Sequence, residues 1–278
     1  MEEPIRHLGQ LDADYPRLRE MTRHFLGRQG KELAWPSWCF LPMAADIAMI
    51  KEHGRSLDQS EWIDISRMAA VNAWRYGQGI YEFNGALIDA LAASEIHGSI
   101  PSDVFTTRLP RWSSWVALPA VSGATGFYVH LEHDARTERA ELRFLVASDG
   151  GDFLPLILHI GDWTLTEAVV RFVEEADLQA ASHGFVGAFE AGPLAAGIVE
   201  TVELLVSIAL YLCSDNADMQ TFDQAPRGVW TGVEPPVPVR PTVWMVGDSL
   251  SIPEGATGVW TVRRDRRGAP VPQWSLAP

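Results

Sequence analysis

Residues 112–160 read WSSWVALPAVSGATGFYVHLEHDARTERAELRFLVASDGGDFLPLILHI. β-Branched and aromatic residues recur there in short runs, and Gly123, Asp134 and the Asp149-Gly150-Gly151-Asp152 cluster punctuate them. The pattern predicts strands over 112–118, 127–133, 139–147 and 153–160. The links hold too few residues for a parallel crossover, which needs about a dozen or more, so consecutive strands should pair antiparallel. Along 127–133, Phe127, Val129, Leu131 and His133 alternate with Tyr128, His130 and Glu132. Successive strand residues face opposite ways, and the second set reads as the wetter face.

Outward from this block the period becomes helical. Leu18, Met21, Phe25 and Leu26 mark residues 12–28 as one amphipathic helix, ended by Gly30. The aromatic connector Trp35-Pro36-Ser37-Trp38-Cys39-Phe40-Leu41-Pro42 should run extended with its rings against the body. A short helix is expected over 43–53. A longer one opens at Asp58, with Glu61 completing a capping box, and stops at Gly77. A strand over 79–83 and a helix over 86–93 follow. Downstream, Thr164 and Glu167 form a second capping box, 194–213 reads as a long core helix, and 242–246 and 259–262 as short strands. The expected fold is α+β: an antiparallel sheet of about four to six strands packed with N-terminal helices and one long buried helix. The expected organisation is a single domain over 1–226, wrapped by a Pro-rich C-terminal extension over 227–278.

Composition narrows the function classes. Of 278 residues, 47% are hydrophobic and 21% charged, a globular balance. Two cysteines, Cys39 and Cys213, suit a reducing compartment, and Met1-Glu2-Glu3-Pro4 does not open like a secretory signal, so a cytoplasmic protein is expected. Glu200 and Glu203 argue that the apolar stretch 194–212 is a core helix and not a membrane span. Lys and Arg total 22 against 36 Asp and Glu, a net charge of −14, which disfavours nucleic acid as the main ligand. Between Arg171 and Arg227 there are nine acids and no Lys or Arg, a face suited to a basic protein partner. Arg263, Arg264, Arg266 and Arg267 form the one basic run, an electrostatic handle for weak contact with an RNA or a ribosome.

Candidate chemistry is sparse. His130 and His133 fall on opposite strand faces, so His-x-x-His-Asp over 130–134 does not converge on a metal. His159 sits at the end of an apolar strand and reads as a core-edge residue. Neither cysteine has a local base to activate it. Gly247-Asp248-Ser249-Leu250 matches a lipase and esterase tetrapeptide, yet no histidine follows it. Gly123-Ala124-Thr125-Gly126 lacks the Lys-Ser/Thr of a phosphate loop. No catalytic residue, metal or cofactor is therefore expected. Were acids to gather only in space, Asp215, Asp218 and Glu203 would be the carboxylates of a metal-dependent nuclease or hydrolase. A third reading is an antitoxin-like protein that sequesters a basic partner. The remaining signal is aromatic: Trp35, Trp38, Trp74, Arg75, Tyr76, Tyr81 and Trp112 are the expected recognition surface, since such side chains anchor interfaces.

Several segments read together resemble a known family. They are Phe40-Leu41-Pro42-Met43, Ala73-Trp74-Arg75-Tyr76-Gly77-Gln78-Gly79-Ile80-Tyr81, Leu109-Pro110-Arg111-Trp112 and Leu210-Tyr211-Leu212-Cys213-Ser214-Asp215-Asn216-Ala217-Asp218-Met219. In order and spacing this set is similar to the type V-A anti-CRISPR inhibitors of phages and mobile elements, over roughly Trp35 to Met219. The resemblance implies an α+β, non-enzymatic protein without cofactors that blocks a type V-A CRISPR effector nuclease. It further implies interference with the effector's production through binding of its polypeptide, nascent chain included, and no competition for DNA.

Overall fold

Strand β1 (Gly79–Phe83) pairs with parallel neighbours on both sides in the computed structural model, with Gly79 opposite Ser114 of one strand and Thr242 of the other. The structure describes residues 2–29, 32–52, 59–121, 124–134, 137–161, 163–182, 193–221 and 237–277. The expectations placed on Gly30, Asp58 and Gly123 lie outside these residues. The strands that follow are β2 (Ser113–Val121), β3 (Ala124–Asp134), β4 (Arg139–Ser148), β5 (Phe153–His159), β6 (Met219–Thr221) and β7 (Thr242–Val246). They form a seven-stranded sheet in the order β5-β4-β3-β2-β1-β7-β6.

The expected sheet of about four to six antiparallel strands is thus corrected to seven strands in a mixed arrangement. The β2–β3–β4 meander is antiparallel as the short links require. β1 is the exception because residues 84–112 separate it from β2. That segment contains α6 (Gly85–Ala92) and α7 (Ser102–Arg108), long enough for a parallel crossover. The chain also returns late, adding β7 beside β1 in parallel and β6 antiparallel to β7.

The chain divides into two compact units. The first takes residues 1–83, 110–156 and 219–246, and the second 84–109, 157–218 and 247–278. In the first, the expected helix over 12–28 is two helices, α1 (Glu2–Asp14) and α2 (Leu18–Arg28). Pro16 forces the break, since the residue before a proline is disfavoured in the helical region. Tyr15 uses the corner: it is buried and donates its hydroxyl to Asp64 at 2.6 Å. After α3 (Met43–Glu52), α4 (Gln59–Arg67) runs through a π-helical turn, Met68–Asn72, into the last turn α5 (Ala73–Arg75). The π turn is wholly buried. Asn72 donates to Thr22 at 2.8 Å and accepts from Arg75 at 3.2 Å, so the extra residue's polar groups are satisfied. The core beneath holds Leu11, Tyr15, Leu18, Met49, Met68, Trp74, Trp115, Tyr128 and Leu145.

The second unit centres on α9 (Pro193–Leu212), the expected long helix. Val202, Leu205, Val206, Ile208 and Ala209 are buried on it, while Glu200 and Glu203 face solvent. No helix among the described residues is long and apolar enough to cross a membrane. Thr164 and Glu167 cap α8 (Leu165–Ser182) reciprocally, the Thr164 N–H donating to Glu167 at 2.8 Å and the Glu167 N–H to the Thr164 hydroxyl at 3.3 Å. The unit ends in a hairpin, β8 (Gly258–Arg264) and β9 (Pro270–Leu276), of which β9 has no counterpart in the sequence expectations. Its Pro270 and Pro272 disguise it, because proline weighs against a strand unless the strand lies at an edge.

Gly126 makes the clearest single-residue demand in the first unit. A Cβ there would lie 2.4 Å from the Val116 carbonyl oxygen and 2.4 Å from the Trp115 ring, so β2 and β3 close only over a glycine. Gly126→Ala is expected to destabilise by about 2–3 kcal/mol in denaturant titration. Gly150→Ala, whose Cβ would meet nothing nearer than 3.6 Å, should shift stability by less than about 0.5 kcal/mol.

Candidate functional site

The aromatic connector is not extended; it coils. The Cys39 N–H donates to the Pro36 carbonyl at 3.1 Å and the Trp35 indole N–H to the Phe40 carbonyl at 3.2 Å, which folds the two prolines around a turn. Phe40 and Leu41 point inward, and Phe40 packs on Tyr76 and Trp112 with ring centres 5.1 and 5.4 Å apart. Trp38 and Trp112 are left half-buried. Trp112 donates its indole N–H to the Ser37 carbonyl at 2.9 Å, and Trp38 stands edge-on to His133 at 5.8 Å. Arg111, at φ +62°, makes the sharp entry into β2 beside Gly77, where a Cβ would meet the Arg111 side chain at 2.7 Å. The Trp38 indole on the connector and the Trp112 indole just before β2, bonded to that connector, form a small aromatic ledge of the first unit.

Polar groups lie inward of the ledge, and nothing in the sequence expectations placed them there. The face of β3 read as wetter is in fact buried: Tyr128, His130 and Glu132 are 0, 4 and 1% exposed. Helix α3 and the π turn pack on β3 and cover what alternation alone suggested was open. Glu132 accepts the Met43 N–H at the start of α3 at 2.9 Å, its neighbour's N–H at 3.1 Å and the Cys39 thiol at 3.8 Å. One carboxylate therefore ties the connector and the first turn of α3 to the sheet. Arg143, opposite His130 in the register, bonds Glu141, opposite Glu132, at 2.6 and 3.1 Å. Asp46 on α3 is fully buried, and neither of its carboxyl oxygens has a partner among the described residues.

Burial sets the protonation of this group. It pushes the Glu132 carboxyl up to about 7, with Arg143 and the Met43 N–H pulling the other way, and lifts Asp46 well above the carboxylate range, helped by Glu132. It lowers His130 to about 3, so that imidazole is neutral. The Cys39 thiol is raised by burial and by Glu132, and Cys213 by burial, so both stand in environments that disfavour the nucleophilic thiolate. The signal that could have revealed the group is the charge pattern. Glu132, Glu141 and Arg143 interrupt otherwise apolar strands at positions the antiparallel register brings side by side.

The other singled-out residues are core. Trp74 is fully buried and donates to the Gly79 carbonyl at 2.8 Å, closing the chain into β1. Arg75, 4% exposed, clamps Asp12 through both guanidinium nitrogens. Tyr76 lies against Phe40, Tyr81 stacks on Trp244 at 6.1 Å with the planes 10° apart, and Trp35 is buried. The structure gathers Trp35, Trp38, Tyr76 and Trp112 around the connector, while Trp74, Arg75 and Tyr81 serve the helix-to-strand junction. Asp215 pairs with Arg108, Asp218 accepts the Ser249 N–H at 2.8 Å, and Glu203 is a solvent-facing residue of α9. The two aspartates anchor turns. Gly247-Asp248-Ser249-Leu250 is such a turn, with Gly247 at φ +84° and its N–H on the Asp218 carbonyl at 2.8 Å. Among the described residues no group of His, Cys, Asp and Glu has an arrangement able to hold a metal ion.

A family model described as AcrVA2-like, the anti-CRISPR type V subtype A2 family, matches residues 81–255, well over half the chain. This protein belongs to the AcrVA2-like family. The match confirms the family resemblance, and of the segments that carried it covers Leu109–Trp112 and Leu210–Met219. A solved structure titled "Crystal structure of AcrVA2" is similar at 16% identity with a TM-score of 0.69, covering 100% of this chain and 99% of that one. At that identity the likeness shows a shared fold. No curated protein matches the chain.

The buried carboxyl predicts a pH effect whose sign is fixed. Glu132 titrates at about 7 in the folded chain against about 4.5 unfolded, so the folded state holds the extra proton and stability contributed by this group falls as pH rises through that window. His130 and His7, lowered to about 3 and about 4, act oppositely up to about pH 6.5. The difference between variant and parent removes the histidines' contribution and leaves that of Glu132 together with its push on Asp46. Glu132→Gln should gain stability relative to the parent between pH 4.5 and 7, on the order of 3 kcal/mol, and the difference should level off above pH 8. Denaturant titrations across pH measure it. A pH-independent difference would refute it.

Proposed function

We propose that this chain inhibits a type V-A CRISPR effector by binding a segment of the effector's polypeptide, nascent chain included, and so lowers its production or activity. It acts by binding and not by catalysis. The observation that carries the reading is membership of an anti-CRISPR type V family over residues 81–255. The connector supplies a surface of the right chemistry. Trp38 and Trp112 are half-buried, rigidly held and aromatic, the properties of anchors at protein interfaces. Trp35 and Tyr76 shape the ledge from beneath, and Trp74, Arg75 and Tyr81 contribute by holding β1 in place. The buried thiols and the acids committed to turns favour binding over turnover.

The test is recovery of a type V-A effector and its nascent chains by tagged protein from a translating bacterial lysate. Replacing Trp38 and Trp112 together by Ala should cut recovery at least about tenfold while the melting temperature moves by only a few degrees. Trp74→Ala instead should cost about 3–5 kcal/mol of stability, because it empties a fully buried site. Full recovery of effector by a folded double variant would remove the ledge from the reading. Failure of the parent protein to recover any effector polypeptide would remove the reading itself.

A further inference from the structure

The β8–β9 hairpin carries the most concentrated positive charge on an acidic molecule, and the structure shows why that charge is available. Arg263, Arg264, Arg266 and Arg267 are all exposed at the end of β8 and in the turn beyond it. In the sequence Asp265 divides the run and would halve its field. In the fold its carboxylate is drawn to the turn's backbone and to a fifth arginine, which offsets part of its charge: Oδ1 accepts the Arg267 N–H at 2.8 Å and the Ala269 N–H at 2.9 Å, and Oδ2 faces Arg108 at 3.4 Å. Those bonds hold Asp265 below the usual carboxylate range, the Ala269 N–H contributing most. Arg264 closes the turn by donating to the Gly268 carbonyl at 2.7 Å, where Gly268 takes φ +83°. Among the described residues none of the four arginines makes an ion pair, although the chain carries 36 acids that could have supplied one.

The hairpin that carries the tip is anchored at its base. Asn216 bonds the Trp274 backbone on both sides, donating at 2.6 Å and accepting at 3.4 Å. Ser94 receives the Gly258 N–H at 2.9 Å and the Trp274 indole N–H at 3.0 Å. A Cβ on Gly258 would overlap the Trp274 ring, so β8 lies flush on it. Near the arginines, Val262 is 56% exposed and Trp260 is half-buried, apolar surface close to the cations. Exposed guanidinium groups clustered on one turn, with neighbouring apolar and aromatic surface, suit a flexible strand of phosphates that carries stackable bases. The tip lies beyond the residues that the family model matches.

We propose that the β8–β9 tip is a docking site for single-stranded nucleic acid, bound through its phosphate backbone by Arg263, Arg266 and Arg267. The site is small, three to four cations, and weak contact at physiological salt is the consequence. The remainder of the acidic surface repels the same ligand, which confines binding to the tip and orients it.

The experiment is fluorescence anisotropy of the full-length protein with a labelled 20-nucleotide single-stranded RNA, the same-length DNA, and polyglutamate, at 25–200 mM salt. The logarithm of affinity for either nucleic acid should fall with the logarithm of salt at a slope of about −2 to −3, from three to four contacts at about 0.7 each. The triple variant Arg263→Gln, Arg266→Gln, Arg267→Gln should lose at least about tenfold in affinity at low salt and most of the slope. The corresponding Lys variant should retain the slope. An unchanged melting temperature in both shows that folding is intact. No binding at 25 mM salt, an unchanged slope in the Gln variant, or equally tight binding of polyglutamate would overturn the proposal, the last pointing to an acidic protein partner instead.

Discussion

The constraint on which the sheet depends is the placement of β1 between two parallel neighbours. A strand hydrogen-bonded on both edges must satisfy all its backbone groups within the sheet and tolerate covering on both faces. Gly79, Ile80, Tyr81 and Phe83 are buried accordingly. The chain reaches this slot directly from a helix, and the turn between them is paid for in side chains: the Trp74 indole takes the Gly79 carbonyl, Gln78 sits at φ +46°, and the Thr242 N–H takes the Gln78 carbonyl at 3.0 Å. Trp74, Arg75 and Tyr76 thus belong to one junction. Their motif-like density reflects the geometry needed to turn a buried helix into a central strand within four residues.

The same economy explains the buried polar face of β3 and β4. Covering the sheet with α3 and the π turn removes His130, Glu132, Glu141 and Arg143 from water. One ion pair between Arg143 and Glu141 is strong enough to keep, since both partners are desolvated together and bonded twice. Glu132 is retained for a different reason. It supplies an acceptor to the otherwise unsatisfied first N–H of α3 and to the connector, and that acceptor works whether or not the carboxyl holds a proton. Among the described residues Asp46 has no such bonds, and its raised pKa is the expected response of a carboxyl that must shed its charge to stay inside.

Family motifs on this chain are therefore largely fold motifs. In Leu210–Met219, Tyr211 accepts the Asp218 N–H, Ser214 bonds back to the Leu210 carbonyl, Asn216 imitates a neighbouring strand for β9, and Asp218 caps the turn at Gly247. What recognition surface the molecule offers comes from residues only half-used by the fold, the Trp38 and Trp112 indoles on one unit and the arginine tip on the other.

Much of the local structure was legible because it is decided within a few residues. The alternation over 112–160, the Thr164–Glu167 capping box and the Gly77 stop each bring their own physical cause. So does the run from Gly79 to Phe83, and the structure returns these elements with ends shifted by up to three residues, as where β2 runs on to Val121 and β3 starts at Ala124. The seventh strand, the parallel setting of β1 and the division at Pro16 needed more. β1 and β7 are separated by some 160 residues, and no local signal states which edges meet. Burial was the least legible. Alternation says that Glu132 and His130 share a face with Tyr128, yet only the packing of α3 decides that this face is dry. Charge shows the same division. The sequence by itself determined that four arginines stand together around an aspartate. The tertiary structure decided that the aspartate turns inward to bond the backbone, because a tight turn has N–H groups to satisfy and a carboxylate within reach of them.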